Sequence, residues 1–202
     1  MGRIGKEVNL RRAVFLDRDG VLSRSLLRDG KPMAPTKVEE FELLPGVVGA
    51  VNRLHAAGFL LIVVTNQPDV STGLTQREAV GEMHQRLYGW LPVDDIKACY
   101  HIEADGCVCR KPRPGMLLAA ARERGIDLRS SWMVGDRWRD VAAGKAAGCR
   151  TILVECHYAE RKAEAPDFTV QSLPEAVEII LKMAAGSVTC GCQHEITRPT
   201  EG

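Results

Sequence analysis

The chain has 202 residues, of which 45% are hydrophobic and 26% are charged, and its formal net charge is +1. This near-neutral balance disfavours a nucleic-acid or membrane partner, because both usually require a strongly basic surface. The longest apolar run, residues 59–64, is far too short to span a membrane, and no secretory signal is apparent. We therefore expect a cytoplasmic, monomeric protein that acts on a small molecule.

One folded domain is expected over residues 1–185, since a chain of this length can bury a sizeable core. Residues 186–202 are polar, lack apolar periodicity and are expected to form a flexible C-terminal tail. Cys190, Cys192 and His194 in this tail could bind a metal. A short segment without an obvious fourth ligand makes that the weaker interpretation.

Apolar runs and helical patterns alternate along the chain. Strands are predicted at residues 13–16, 59–64, 96–101, 132–134 and 151–154, and helices at 46–55, from 75 to at least 87, and at 114–124, 141–147 and 172–183. Two helices begin with a capping box, in which a hydroxyl residue precedes a glutamate by three positions: Thr75 with Glu78, and Ser172 with Glu175.

Two of the predicted helices have assigned faces. In the first helix the core-facing residues are expected to be Val47, Val48, Val51 and Leu54. In the second helix the apolar stripe is Ala79, Met83 and Leu87, and His84 is expected on the exposed side without a functional role.

Strands that alternate with helices imply right-handed crossovers and a parallel sheet covered by helices on both faces. The predicted fold is therefore α/β, a three-layer doubly wound parallel sheet of the Rossmann-like type. In such sheets, ligands bind at the carboxyl ends of the strands. The polar residues that follow the predicted strands are consequently the candidates for function.

The segment that follows the first strand carries the strongest chemical signal. Asp17 and Asp19 lie two residues apart, directly after the apolar run and before Gly20. In an extended segment both carboxylates point to the same side, and Gly20 allows a tight turn behind them. Two close carboxylates repel unless a cation or a proton holds them together, and Mg²⁺ prefers oxygen ligands of this kind.

Three further polar clusters follow other predicted strands and should therefore reach the same edge of the sheet. They are Thr65-Asn66-Gln67, Arg110-Lys111-Pro112, and Gly135-Asp136 with Asp140. Phosphoryl transfer needs the kinds of group that these clusters contain: a carboxylate pair, a hydroxyl, an ammonium group and another carboxylate. The near-neutral net charge favours phosphate capture over a nucleic-acid patch for the basic residues.

A second cluster consists of soft or borderline metal ligands in two close pairs. Cys99 and His101 form the first pair and Cys107 and Cys109 the second, which suits a closed tetrahedral Zn²⁺ site. The cysteines could instead be inert or form a disulfide. Structural zinc is favoured over both alternatives, because cytosolic thiols stay reduced. Since Cys109 directly precedes Arg110-Lys111, the metal would fix the phosphate-binding loop.

Over residues 12–155 the chain resembles the haloacid dehalogenase superfamily of phosphatases. The residues that match the four motifs of the superfamily are Asp17-Arg18-Asp19-Gly20-Val21, Thr65, Lys111, and Gly135-Asp136 with Asp140. The resemblance implies that Asp17 is the nucleophile, forming an aspartyl-phosphate. Asp19 is implied as the acid that protonates the leaving oxygen and the base that activates water. Thr65 and Lys111 are implied to bind the phosphoryl oxygens. The implied Mg²⁺ ligands are Asp17, the backbone carbonyl of Asp19, and Asp136.

The zinc motif with Cys109-Arg110-Lys111-Pro112 is similar to the branch without a cap domain, which contains the D,D-heptose 1,7-bisphosphate phosphatases and the histidinol-phosphate phosphatases. The short intervals of 48 and 46 residues that separate Asp17, Thr65 and Lys111 agree with a capless fold. Likeness to the heptose enzymes implies release of the 7-phosphate to leave heptose 1-phosphate. The residues implied to bind substrate are Ser25, Arg28, Asn66, Gln67, Arg110 and Arg137.

Two alternatives to a heptose bisphosphate phosphatase stay open. The loop 68–73 lacks an arginine that the heptose enzymes usually carry, and the five residues between His101 and Cys107 are closer to the histidinol-phosphate enzymes. A histidinol-phosphate phosphatase, or a phosphatase for another small phosphomonoester, is therefore the second hypothesis. The third hypothesis is a zinc-stabilised binding module on an inactive phosphatase fold. The presence of both Asp17 and Asp19 argues against it, because an inactive relative would be expected to lose one of them.

Overall fold

The computed structural model describes residues 10–28, 30–156 and 158–186. The strands in this part of the chain are β1 (Ala13–Leu16), β2 (Leu26–Arg28), β3 (Lys31–Met33), β4 (Leu60–Asn66), β5 (Asp95–Cys99), β6 (Trp132–Gly135), β7 (Arg150–Val154) and β8 (Phe168–Val170). The α-helices are α1 (Val47–Ala56), α2 (Arg77–Trp90), α3 (Gly115–Arg124), α4 (Trp138–Ala147) and α5 (Leu173–Gly186).

Six strands form one parallel sheet in the order β5-β4-β1-β6-β7-β8. The chain leaves β1 toward β4 on one side and later returns to β6 on the other side. The strand order therefore reverses at β1, and the carboxyl end of β1 is the point where ligands bind in doubly wound sheets. The predicted fold class is confirmed.

Alternate residues of β1 pack into different halves of the core. Val14 and Leu16 lie in a hydrophobic cluster that includes residues of α1, α2 and α5, whereas Ala13 and Phe15 lie in a cluster with residues of α3 and α4. Because all four side chains are completely buried, the strand is apolar without alternation, as a strand covered on both faces should be. This burial fixes where β1 ends and where the loop that carries Asp17 and Asp19 begins.

Short elements fill the segments around the sheet. Strands β2 and β3 form an antiparallel hairpin within the region that was expected to be a loop, and β8 is a sixth strand of the sheet that the sequence did not predict. The interval between Asp17 and Thr65 contains this hairpin and α1, and the interval from Thr65 to Lys111 contains α2, β5 and the Cys/His loop. No separate cap domain lies in the described part of either interval.

Three local predictions are wrong. Val48 is 46% exposed, and Ala50 takes the expected place in the buried face of α1. The Thr75 hydroxyl does not cap α2, which begins after Gln76; it donates instead to the carbonyl of Thr36 at 2.7 Å. His84 is not on an outer face of α2, because its Nε2 lies 3.2 Å from Nη1 of Arg18.

The second predicted capping interaction is present at α5. The backbone N–H of Glu175 donates to the Ser172 hydroxyl at 3.4 Å, and that hydroxyl donates to the Glu175 carboxylate at 3.2 Å. The tail that carries Cys190, Cys192 and His194 lies outside the described residues. Among the described helices, none has the length and apolar character needed to cross a membrane.

Candidate active site

The polar residues at the carboxyl end of β1 line a small cleft of about 60 Å³. Its walls come from the loop after β1, the hairpin, the end of β4, the segment before α3 and the first turn of α4. The lining residues are Asp17, Asp19, Ser25, Pro32, Ala34, Thr65, Asn66, Lys111, Arg137, Arg139 and Asp140. The cleft has room for a reacting phosphoryl group but not for a whole sugar, so the rest of a substrate must extend over its rim.

Lys111 connects two carboxylates at the base of this cleft. Its Nζ lies 2.8 Å from Oδ1 of Asp17 and 2.5 Å from Oδ1 of Asp140, and it also donates to the carbonyl of Val64 at 2.8 Å. Burial alone would lower the pKa of Lys111, but the two carboxylates raise it above its ordinary value. Lys111 is therefore a fixed positive charge at the end of β1.

Asp17 is buried at the same place, and burial raises its pKa to about 6 although Lys111 opposes the shift. The neighbouring Asp140 also raises the pKa of Asp17. One ammonium group therefore does not fully compensate the carboxylates around it. A further cation at this position would keep Asp17 ionised and available as a nucleophile.

Asp136 supplies the third carboxylate of this group. Both of its carboxylate oxygens are buried without a hydrogen-bond partner of good geometry among the described residues. Burial, together with Asp17 and Asp140, raises its pKa well above the ordinary value. One ligand atom from each of these three aspartates lies within 4.8 Å of the others. This set of oxygen donors fits a hard cation such as Mg²⁺.

Gly20 leaves the space that this carboxylate group occupies. Its φ is +97°, a conformation that other residues rarely adopt, and an added Cβ would lie 1.9 Å from Oδ2 of Asp136. The glycine predicted to allow a turn behind the aspartates thus has a second role. It lets the backbone approach Asp136 closely.

The Asp19 carboxylate is not part of that group and accepts hydrogen bonds from three other residues. Arg18 donates to it from Nε, at 3.0 and 3.1 Å, and from Nη2 at 2.9 Å. Ser23 Oγ donates to Oδ1 at 3.0 Å, and Gln67 Nε2 donates to Oδ2 at 2.8 Å. The side chain of Asp19 is thus not one of the clustered metal ligands. Its predicted metal contact was through the backbone carbonyl.

The residues that follow β4 have separate tasks. Thr65 is buried beside the cleft, and its hydroxyl accepts a hydrogen bond from Gln67 Nε2 at 2.8 Å. Asn66 donates to the Lys111 carbonyl at 3.0 Å and accepts from the Lys111 N–H at 3.1 Å. Gln67 is completely buried, so it orients Asp19 and Thr65 and does not line the cleft. Asn66 fixes the backbone of Lys111.

The four candidate zinc ligands are brought together between β5 and α3. Cys109 Sγ lies 3.2 Å from Cys99 Sγ, 3.4 Å from Cys107 Sγ and 3.3 Å from His101 Nδ1. Tetrahedral Zn²⁺ would separate its ligand atoms by about 3.5–3.8 Å, so the preformed spacing is close to that of a metal site. Burial raises the pKa of the Cys99 thiol to about 12, a cost that a bound cation would remove.

Two of the three arginines expected to bind substrate are engaged within the protein. Arg137 donates from Nε to the Glu160 carboxylate at 2.8 Å and from Nη2 to its second oxygen. Arg110 donates to the His101 carbonyl at 3.1 Å and lies 3.6 Å from Glu103. Arg137 lines the cleft, as does Ser25, whereas Arg110 is not among the described lining residues. The side chain of Arg28 lies outside the described residues.

Arg139, which the sequence analysis did not single out, also lines the cleft. Burial and the nearby Arg137 lower its pKa, and no carboxylate in the described part of the chain lies within 4.0 Å of it. Its guanidinium packs over the ring of Trp138, 5.1 Å from the centroid. Arg139 is therefore a cleft-lining cation without a direct carboxylate partner among the described residues, because Glu160 and Glu103 pair with Arg137 and Arg110 instead.

Comparison with known proteins agrees with this geometry. Residues 108–176 match the family model described as HAD-hydrolase-like. The chain is 35% identical over 159 residues to D-glycero-beta-D-manno-heptose-1,7-bisphosphate 7-phosphatase of Pasteurella multocida, covering 72% of this chain and 83% of that protein. It is 32% identical over 185 residues to the alpha-heptose enzyme of Burkholderia mallei, covering 84% and 93% of the two chains.

A similar solved structure carries the ligands that this site would fit. D,D-heptose 1,7-bisphosphate phosphatase from B. bronchiseptica, complexed with magnesium and phosphate, is 30% identical and has a TM-score of 0.71. The match covers 85% of this chain and 99% of that one. This chain therefore belongs to the haloacid dehalogenase superfamily of phosphatases, in the family that includes the heptose bisphosphate phosphatases.

Proposed function

We propose that this protein is a Mg²⁺-dependent phosphatase that removes the 7-phosphate of D-glycero-D-manno-heptose 1,7-bisphosphate and leaves heptose 1-phosphate. The observation that carries the proposal is the buried group of Asp17, Asp136 and Asp140 around Lys111, at the carboxyl end of β1. The names of the relatives support the heptose substrate. The protein is proposed to act in the cytoplasm as a monomer.

The reaction has two steps, and the first transfers the phosphoryl group to the protein. A carboxylate oxygen of Asp17 attacks phosphorus and the bond from phosphorus to the sugar oxygen breaks. Asp19 gives its proton to that oxygen, so heptose 1-phosphate leaves with a hydroxyl group at that position. In the second step Asp19 takes a proton from water. The resulting hydroxide attacks phosphorus, which releases inorganic phosphate and restores Asp17.

Fixed cationic and polar groups support the transferring phosphoryl oxygens. Lys111 and Thr65 are the proposed donors, since both lie at the cleft and Lys111 is held by its contact with Val64. Asp17, Asp136 and the Asp19 carbonyl are the proposed Mg²⁺ ligands, and Asp140 adds a carboxylate close to them. The cation, when bound, reduces the repulsion between Asp17 and the phosphate.

Zn²⁺ is proposed at Cys99, His101, Cys107 and Cys109 in a structural role. The loop that carries these residues packs closely on the beginning of α3, because an added Cβ at Gly115 would lie 2.2 Å from the carbonyl of Val108. Cys109 and Lys111 are separated by one residue. A metal that fixes Cys109 would therefore limit the movement of the backbone that carries Lys111.

The second phosphate of the substrate is proposed to contact Arg139 at the rim. Among the described residues, no carboxylate forms a direct ion pair with this guanidinium, and Glu160 and Glu103 attract it only from farther away. The guanidinium groups of Arg137 and Arg110, in contrast, lie beside Glu160 and Glu103. A guanidinium offers a planar set of donors that suits a phosphate. Ser25 lines the same cleft and is the proposed hydroxyl contact of the sugar. Arg28, Arg110 and Arg137 stay predicted substrate contacts.

The test is release of inorganic phosphate by the purified protein with Mg²⁺, measured for both anomers of heptose 1,7-bisphosphate, for histidinol phosphate and for simple sugar monophosphates. We expect the highest kcat/KM for one of the two bisphosphate anomers. A higher value for histidinol phosphate would favour the second hypothesis. No turnover of any phosphomonoester, with metal present and the fold intact, would instead favour a binding module.

A further inference from the structure

Arg18 lies between the two catalytic aspartates in the sequence, yet its side chain is completely buried. The guanidinium packs over the ring of Phe41, 5.3 Å from the centroid, at the side of the core that contains α1 and α2. A buried guanidinium keeps its charge and all of its N–H donors, so these donors need acceptors. The acceptors of Arg18 decide how its plane is oriented.

Two residues provide those side-chain acceptors. Nε and Nη2 donate to the Asp19 carboxylate, and Nη1 lies 3.2 Å from Nε2 of His84 on α2. Arginine has no acceptor atom and does not lose its proton, so Nε2 of His84 must accept. The imidazole is then neutral and carries its proton on Nδ1. Burial and the charge of Arg18 lower the pKa of His84 to about 4, in agreement with a neutral ring.

We propose that His84 is a positioning residue for the catalytic proton donor: it holds Nη1 of Arg18, and thereby fixes the plane from which Nε and Nη2 hold the Asp19 carboxylate. The inference rests on the proposed function, in which Asp19 protonates the leaving oxygen. Without an acceptor at position 84, the guanidinium must turn to satisfy Nη1. The two donors on Asp19 turn with it, because the group is planar.

Asp19 keeps two other contacts when His84 is removed. Ser23 and Gln67 each donate one hydrogen bond to its carboxylate, at 3.0 and 2.8 Å. The expected result is therefore a misplaced acid, and a partial loss of proton transfer. General acid catalysis typically contributes about 10²–10⁴-fold, so we expect a loss of about tenfold from imperfect placement.

The experiment compares His84→Gln with His84→Met in the full-length protein with Mg²⁺. The glutamine amide oxygen can reach the position of Nε2 and accept from Arg18, whereas methionine fills the space without a comparable acceptor. The rate of the first turnover is measured for an alkyl phosphate and for nitrophenyl phosphate. The nitrophenolate leaves without being protonated, so its release in the first turnover does not need the acid.

We expect His84→Met to slow the first turnover of the alkyl phosphate by about tenfold while that of nitrophenyl phosphate stays within about twofold, and His84→Gln to restore the alkyl rate. Equal slowing of both substrates, or no slowing of either, would overturn the proposal. A glutamine variant no better than the methionine variant would also overturn it. An inactive wild-type protein would instead reject the proposed function, so the two failures are distinguishable.

Met83→Ala is the matched control for a change in packing on α2. Met83, the residue before His84, is completely buried and belongs to the hydrophobic cluster that contains Phe41. This variant is expected to lose stability without a difference between the two leaving groups. Should His84→Met fail to fold, His84→Asn replaces it, because the shorter amide cannot reach Arg18. Identical leaving-group dependence in His84→Asn and His84→Gln would then overturn the proposal.

Discussion

Arg137 and Glu160 form a two-point ion pair across 23 positions of sequence, in which both donor groups on one side of the guanidinium are occupied. The fork that was expected to receive a substrate phosphate is thus already bound by a carboxylate. Arg139, two positions further along, has no such partner in the described part of the chain. The pairing of Arg137 with Glu160 supports Arg139 as the proposed contact of the second phosphate.

Arg139→Ala is accordingly expected to raise KM for heptose 1,7-bisphosphate by about tenfold and to leave KM for nitrophenyl phosphate within about twofold. The transferred group keeps its contacts with Lys111 and Thr65, so kcat should change little. Arg161→Ala is the matched control, since Arg161 also packs over Trp138, at 4.8 Å, but is paired with Glu164. Steady-state kinetics with both substrates would check this, and equal effects of the two variants would contradict it.

Asp17→Asn should lower kcat by several orders of magnitude, because an amide cannot attack phosphorus. The fold should not suffer, since burial disfavours the carboxylate and Lys111 keeps its contact with Asp140. Phosphate release and thermal unfolding in Mg²⁺-free buffer are the measurements. A variant with activity within tenfold of wild type would remove Asp17 as the nucleophile. A much lower Tm would mean that the carboxylate supports the fold.

Zinc is expected at one equivalent per chain by metal analysis of protein purified without chelators. Cys107→Ala should reduce the zinc content, the Tm and the activity together, because the loop before Lys111 is then no longer fixed. Cys149→Ala is the control: Cys149 is buried in the hydrophobic cluster with α3 and α4, and burial raises its pKa to about 12. Full zinc in Cys107→Ala, or none in the wild type, would exclude the proposed site.

The pH dependence of stability should report the neutral state of His84. Its pKa is lowered from 6.5 to about 4 by burial and by Arg18, with Asp19 opposing the shift. A lowered pKa means that the unfolded chain binds the proton more readily. The stabilisation is therefore complete above pH 6.5 and is lost as the pH falls toward 4.

Relative to His84→Gln, the wild type is expected to lose on the order of 2 kcal/mol of unfolding free energy between pH 7.5 and pH 5. Urea unfolding in Mg²⁺-free buffer at the two pH values measures the difference. His55→Gln is the control, because His55 is exposed on α1. Parallel pH profiles of the wild type and His84→Gln would show that His84 is protonated equally in both states.

The order of strands and helices could be predicted because the long apolar runs 13–16, 59–64, 132–134 and 152–154 end at Asp17, Thr65, Gly135 and Glu155, that is, at polar residues or glycine. The edge that carries Asp17, Thr65, Lys111 and Asp136 followed from the parallel arrangement alone. Strands β2, β3 and β8 could not be predicted, since three residues are too few to establish a period. Strands β2 and β3 are stabilised by pairing with each other in a hairpin, and β8 is stabilised by pairing with β7.

Side-chain partners were the main part that the sequence could not provide. The apolar stripe of α2 placed His84 on the exposed side of the helix, but His84 contacts Arg18, which is 66 positions away in the sequence. Thr75 had the right spacing for a capping box, but the Thr36 carbonyl, 39 residues away, binds its hydroxyl instead. In both cases a tertiary contact determines the role of a residue whose local pattern indicated another.

The absence of a side chain at position 20 has a practical consequence for the study of this protein. Because an added methyl group would lie 1.9 Å from Oδ2 of Asp136, and because φ at this position is +97°, Gly20→Ala would displace the Asp136 carboxylate and strain the loop after β1. All of the aspartates would still be present in the sequence. Such a variant would therefore test whether the position of the Asp136 carboxylate, and not only its presence, is needed for metal binding.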